Sequence, residues 1–285
     1  MRDNYKGYLF ILPALLMLVV ILGFPAVAAF LQSFNLMWVA KPFFTLGSYQ
    51  ALLYDPEFKR SLLNTVIFVT FVVSSHLVIG LGVALILNMD IRFKWLWRVV
   101  AILPWTMPDV IGGLVWRFMF DTLPGIVNSV LVRTGMTVEP VDWLGHPGLA
   151  FFTVMLAESW RGYAYPMLIL LAGLQAIPKQ QYEAAELDGC SAFQKFIYVT
   201  IPNLKHMFII ALVLDVIWES RLFGMVYSMT GGGPGYSSQI LTLLSYKQYF
   251  QFFNVSYGAA MAVVLATVLF FISLPYLRLS MRQQL

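Results

Sequence analysis

Residues 177–202 read Ile177-Pro-Lys-Gln-Gln-Tyr-Glu-Ala-Ala-Glu-Leu-Asp-Gly-Cys-Ser-Ala-Phe-Gln-Lys-Phe-Ile-Tyr-Val-Thr-Ile-Pro202, a polar island between two long apolar segments. Pro178 suits the first turn of a helix, where its missing N–H costs nothing, and Gly189 suits the left-handed position just past a helix end. A short helix is therefore expected from Pro178 to Asp188. Ser191 followed by Gln194 fits a capping box, so a second helix is expected from Ala192, interrupted near Pro202. Ala184, Ala185 and Gly189 let another backbone approach closely, while Glu183, Glu186 and Asp188 offer charge to a basic or polar partner. The island reads as a docking device. An ordinary amphipathic connector between membrane helices has the same spacing.

Working outward, the 285-residue chain is 60% hydrophobic and only 11% charged, too little polar surface for a soluble globule of that size. A bilayer core needs about 20 apolar residues per helix. The charge-free intervals Gly7 to Ala40, Ser61 to Met89 and Gln248 to Leu277 meet that need and place spans near 8–30, 62–87 and 257–277. Three further apolar stretches, near 99–120, 149–175 and 206–227, carry Asp109, Arg117, Glu158, Arg161, Asp215, Glu219 and Arg221. The expectation is an all-α integral membrane protein of six spans, a single domain over 1–285 with a loop at 177–203. The first span is too long for a secretory signal and lacks a small-residue cleavage pattern behind it, so it is expected to be retained.

Six spans put both termini on one side. That side then holds Arg2, Lys6, Arg92, Lys94, Arg98, Lys179, Lys195, Lys205, Arg278 and Arg282 against Asp3, Asp90, Glu183, Glu186 and Asp188. The other side balances Lys41, Lys59, Arg60, Arg133 and Lys247 with Asp55, Glu57, Asp121, Glu139 and Asp142. The positive-inside rule puts the termini and the island in the cytoplasm. The basic excess is thus a topology signal and not a nucleic-acid footprint.

Enzymatic signatures are missing. The run Thr230-Gly-Gly-Gly-Pro-Gly235 lacks the Lys of a phosphate loop and reads as a sharp turn on the outer side. His76, His146 and His206 lie far apart without metal-type spacing, no Gly-x-Ser-x-Gly elbow occurs, and the single Cys190 forms no intrachain disulfide. The chain is expected to have no catalytic, cofactor or metal site.

Charges inside spans cost roughly 2.5–3.5 kcal/mol on insertion scales, so they face a polar interior or pair with one another. Glu158 and Arg161 are three apart, and Glu219 lies close to Arg221, so local pairing and snorkelling compete with a pathway role. Asp109 and Asp215 have no opposite charge one helical turn away and are better cavity candidates; Pro108 is able to break the third span. Sugars bind to aromatic faces beside carboxylates and amides. Trp105, Trp116, Trp160, Tyr163, Tyr165 and Trp218 supply such faces, although Trp and Tyr also gather at membrane interfaces, as expected of an interfacial helix over Tyr246 to Tyr257.

Glu183-Ala184-Ala185, Asp188-Gly189, Phe196 and Thr200-Ile201-Pro202 resemble, in order and spacing, the EAA loop of the membrane subunits of binding-protein-dependent ABC importers. Leu103-Pro104-Trp105, Val115-Trp116-Arg117, Gly125-Ile126 with Asn128, Leu171-Ala-Gly-Leu-Gln175 before Ile177-Pro178, and Thr230-Gly-Gly-Gly-Pro234 resemble the carbohydrate-uptake branch, the maltose-type and glycerol-phosphate-type permeases. Cys190 stands where the family usually has Ala, and His206 where it usually has a second Pro.

The resemblance implies a type I permease fold in a bacterial or archaeal plasma membrane. It also implies ATPase coupling through Glu183, Ala184, Ala185, Asp188 and Gly189, and a sugar cargo. The implied partners are a second, different permease, two ATP-hydrolysing subunits that hold ATP and Mg, and an external binding protein. The pathway candidates are Trp105, Asp109, Trp116, Glu158, Trp160, Tyr163, Asp215, Trp218 and Glu219. An ion-coupled secondary transporter and a non-transporting membrane scaffold are the rival readings.

Overall fold

The computed structural model describes residues 4–38, 41–123 and 125–282, and side chains over 11–38, 41–123 and 125–274. Of the charge tally, Arg2 and Asp3 lie outside the described residues, as do the side chains of Lys6, Arg278 and Arg282. The regular elements among the described residues are all helices, with no strand. In chain order the helices are α1 (Asn4–Leu18), α2 (Phe24–Ser33), α3 (Gly47–Tyr54), α4 (Pro56–Asn88), α5 (Lys94–Thr106), α6 (Asp109–Met119), α7 (Ile126–Arg133) and α8 (Pro147–Gly162). They continue as α9 (Ala164–Ala176), α10 (Lys179–Leu187), α11 (Ala192–Lys195), α12 (Ile201–Glu219), α13 (Gly224–Met229), α14 (Leu241–Tyr246) and α15 (Val255–Arg282). An all-helical plan is what lipid demands, because helices satisfy their own backbone groups.

Among the described residues, four helical runs are long and apolar enough to cross a membrane: Ile11–Ser33, Pro56–Asn88, Ala192–Glu219 and Val255–Leu274. The third expected span is a broken pair, α5 and α6, bent by 93°. Pro108 has no N–H to continue α5, and Met107 turns extended at ψ 126°. The stretch near 149–175 is divided at Tyr163 into α8 and α9, of 16 and 13 residues, each too short alone for a roughly 30 Å core.

Three expectations need correction. Pro202 does not interrupt its helix. A π-turn over Phe196–Thr200 shifts the hydrogen-bond register, with Ile201 N–H reaching the Phe196 carbonyl, so α11 runs on into α12. The fifth span ends at Glu219 and not near 227; a separate helix, α13, starts at Gly224, whose N–H donates to the Asp109 carboxylate at 3.0 Å. Tyr246 to Tyr257 is not one interfacial helix: α14 passes into a π-turn over Lys247–Gln251, the chain breaks, and α15 begins at Val255.

The chain forms two compact units. The first comprises residues through Lys59 with Leu244–Val268. Its apolar run from Ile11 to Val27 is almost wholly exposed, as lipid-facing side chains are. Its polar groups gather in one network: Tyr49 donates to Ser33 Oγ at 2.7 Å, Tyr249 to Gln32 Oε1 at 3.0 Å, and Tyr257 to Asp55.

The second unit comprises Arg60–Leu243 with the residues from Leu269 on. Its core joins Phe68 and Val72 of α4 to Val154 and Ala157 of α8 and to Met225 and Met229 of α13. A second cluster joins Ala84 and Leu87 of α4 to Met167, Leu170 and Leu174 of α9 and to Leu204 of α12. The glycine-rich run is pinned and not loose: Thr230 Oγ1 lies 2.8 Å from Ser238 Oγ, which donates to the Gly233 carbonyl. Asn64 of α4 donates to the carbonyls of Tyr236, Ser237 and Gln239 just beyond it.

The island's local structure follows its capping chemistry. Gly189 sits at φ +77° and donates to the Glu186 carbonyl, while Cys190 donates to that of Ala185, so the last carbonyls of α10 are satisfied. Replacing Gly189 by Val should cost about 1–2 kcal/mol, the penalty of a Cβ in this region. Amide exchange over 184–190 should then accelerate roughly tenfold; unchanged exchange in Gly189→Val would refute the strained cap.

Candidate functional site

Two surfaces carry the candidate residues. At the island, Glu183, Ala184, Asp188 and Gly189 are exposed, while Ala185 is buried against the fold. Leu187 is 91% exposed and Phe193 71%, an apolar pair that water alone does not explain. Both capping-box bonds form, Ser191 N–H to Gln194 Oε1 at 2.7 Å and Gln194 N–H to Ser191 Oγ at 3.3 Å. Tyr182 Oη lies 3.0 Å from Thr200 Oγ1 and Asn203 donates to Gln181 Oε1 at 2.8 Å, so α10 is braced on the π-turn and on α12. Lys195 takes Glu186 as an internal partner at 3.3 Å, an exposed pair that contributes little to stability.

The second surface is a buried charge cluster. α8 turns Glu158 and Arg161 onto one face, and the guanidinium grips the carboxylate with two bonds, Nε to Oε2 at 3.0 Å and Nη2 to Oε1 at 2.5 Å. Against them lies His76 of α4, fully buried, with Nδ1 3.0 Å from Asp215 Oδ2 of α12 and Nε2 3.0 Å from the Glu158 carbonyl. Gly162 makes room for that ring, since a Cβ there would fall 2.2 Å from His76 Cε1. One turn beyond Asp215, Glu219 is 2% exposed and its Oε2 has no hydrogen-bond partner.

Beside the cluster opens a cleft of about 320 Å³ lined by Asp109, Arg161, Trp218, Arg221 and Leu222. Asp109 is held there by two backbone donors, Val110 and Gly224, each at 3.0 Å. Gly224 permits this approach, since a Cβ would meet the carboxylate at 2.4 Å. Arg221 lies over the Trp218 ring at 5.9 Å. An aromatic wall extends from Trp218 to Tyr165 and on to Trp105, each pair stacked at 6.0 Å. Trp116 and Trp160 meet edge to face at 5.5 Å. The arrangement offers both charge signs and flat apolar faces, the chemistry that binds a polyhydroxylated ring.

The sequence-derived candidates thus separate. Asp109 and Trp218 line the cleft, and Trp105 joins its wall. Glu158 is saturated by Arg161, and Asp215 faces His76. Tyr163 sits at the joint of α8 and α9, where its carbonyl accepts from Met167. Trp116 and Trp160 form a pair of their own. Arg161, Arg221 and Tyr165 belong to the cleft or its wall, while His76, dismissed for want of metal-type spacing, proves central because its partner stands 139 residues away.

Residues 76–283 match the family described as binding-protein-dependent transport system inner membrane component. The chain is 36% identical over 280 residues to the trehalose/maltose transport system permease protein MalF of Thermococcus litoralis, covering 97% of this chain and 94% of the relative. It is 32% identical over 281 residues to the sulfoquinovosyl glycerol transport system permease protein SmoG of Agrobacterium fabrum, covering 97% and 91%. In structure it resembles a chain of a bacterial ABC transporter that imports the acidic polysaccharide alginate, with TM-score 0.85, 19% identity and 99% and 96% of the two chains covered. The alginate transporter in complex with its pentasaccharide-bound periplasmic protein aligns with TM-score 0.81 at 20% identity, over 96% and 92%.

Truncating one member of a buried ion pair leaves the other uncompensated, at about 3–5 kcal/mol. Arg161→Met should therefore lower the unfolding temperature of the purified protein in detergent sharply. Adding Glu158→Gln should recover part of the loss; strictly additive effects would show that the pair is not coupled.

Proposed function

Because this chain belongs to the family of binding-protein-dependent transport system inner membrane components, we propose that it is the membrane permease of an ATP-driven carbohydrate importer. Its cargo would cross beside Asp109, Arg161, Trp218 and Arg221. The observation that carries the reading is a single helical run, Ala192–Glu219, with the island at one end and the cleft-lining Trp218 at the other. At 1.5 Å per residue it spans about 42 Å, enough to link a cytoplasmic contact to a site deep in the membrane.

In this reading two ATPase subunits dock on the exposed Glu183, Ala184, Asp188 and Gly189, with Leu187 and Phe193 as apolar anchors, and they alone hold ATP and Mg. Their closure displaces α10. The braces from Tyr182 and Gln181 carry the displacement into α12, and the cleft changes its access. The coupling is the difference in ATPase contact between the two states. The sugar class rests on the cargo of the relatives and on the pairing of aromatic faces with charges. A second permease completes the path, an external binding protein delivers the cargo, and both termini face the cytoplasm.

Purification of the tagged chain from native membranes in mild detergent should bring down an ATPase subunit and a second permease. Glu183→Lys with Gly189→Val should lose the ATPase and keep the permease. A chain that emerges alone, with uptake intact, would contradict the proposal. Trp218→Ala should raise the sugar concentration for half-maximal uptake at least tenfold while leaving ATPase copurification unchanged; equal loss of both would assign Trp218 to folding.

A further inference from the structure

His76 donates its Nε2 proton to the Glu158 carbonyl, because a carbonyl can only accept. In the neutral ring the Nδ1 lone pair then points at Asp215 Oδ2, 3.0 Å away, which is repulsive unless something positive lies between them. Glu219 adds a second buried carboxylate with an unpartnered oxygen. The charged groups around this point are Asp215 and Glu219 of α12, Glu158 and Arg161 of α8, and Asp109 of α6. Arg161 is already committed to Glu158. The place has a deficit of positive charge in surroundings where an isolated charge is costly.

A proton would relieve the His76–Asp215 contact but would leave that Glu219 oxygen unpartnered. A divalent cation relieves all three groups. One donor atom from each of His76, Asp215 and Glu219 lies within 4.8 Å of the others. Ligands about 2.1 Å from one ion stand about 3.4 Å apart in a tetrahedral set, so side-chain rotations that draw the atoms together by at most about 1.4 Å close it. The Nε2–H bond to a backbone carbonyl is also the outer contact that orients a metal-binding imidazole.

We propose that His76 Nδ1, Asp215 and Glu219 form a binding site for a divalent transition-metal ion of the zinc or manganese class, which ties α4 to α12. One imidazole with two carboxylates suits these ions better than magnesium or copper(I). The ion would brace the end of the helical run that begins at the island.

The test uses the full chain with a tag free of histidine, stripped with EDTA and titrated with cobalt(II) as a spectroscopic stand-in for zinc. Bound metal is read by visible absorption and by elemental analysis. About one ion per chain should bind, and His76→Ala and the shape-conserving Glu219→Gln should each weaken binding at least tenfold. His146→Ala and His206→Ala should not. Zinc should also raise the melting temperature of the wild type but not of Glu219→Gln, a comparison that holds even where His76→Ala fails to fold. Wild type that binds no more metal than Glu219→Gln, or Glu219→Gln that melts higher while the wild type ignores zinc, would overturn the proposal in favour of a bound proton.

Discussion

Hydrocarbon offers no hydrogen bonds, so each polar group within it must be satisfied by the protein. The grip of Arg161 on Glu158 is where this constraint bears hardest. It neutralises a charge on a fully buried side chain, while the backbone carbonyl of the same Glu158 accepts from His76. His76 in turn brings α4 within 3.0 Å of Asp215 on α12. Asp109 applies the same logic at the broken span, where its carboxylate supplies the acceptor that starts α13. The cleft opens beside these polar contacts, with Asp109 of α6, Arg161 of α8 and Trp218 of α12 in its lining.

The island and the cleft stand at opposite ends of one helical run, Ala192–Glu219. A π-turn lets the chain pass Pro202 without a break, and π-turns recur at functional sites. An uninterrupted helix transmits a displacement, whereas a hinge at Pro202 would absorb it. The braces to Thr200 and Asn203 join α10 to that same run.

What the sequence made legible was local. Gly189, Ser191 and Gln194 announce their caps within three residues, and both caps form as read. Pro108 announced the break in the third span. The π-turn was not legible, because Pro202 in sequence signals only an interrupted register and not the way the register is recovered. The start of α13 at Gly224 is met by Asp109, 115 residues away, and Asp215 faces His76, 139 residues away. Helix-period reasoning sees partners at three and four residues and is blind to both. A spacing rule suited to contiguous motifs passes over His76, and sequence alone offers Tyr165 as an aromatic face without showing that Trp105 and Trp218 flank it.

The central claim is that ATP-driven motion, transmitted through α12, moves cargo past the cleft. It is tested most directly in proteoliposomes holding this permease with its copurified partners, the binding protein outside, ATP inside, and ionophores collapsing every ion gradient. Accumulation of radiolabelled sugar should persist without gradients and stop without ATP. Uptake that vanishes with the gradients while ATP remains, or proceeds without ATP on an ion gradient alone, would contradict the account and make the chain an ion-coupled transporter.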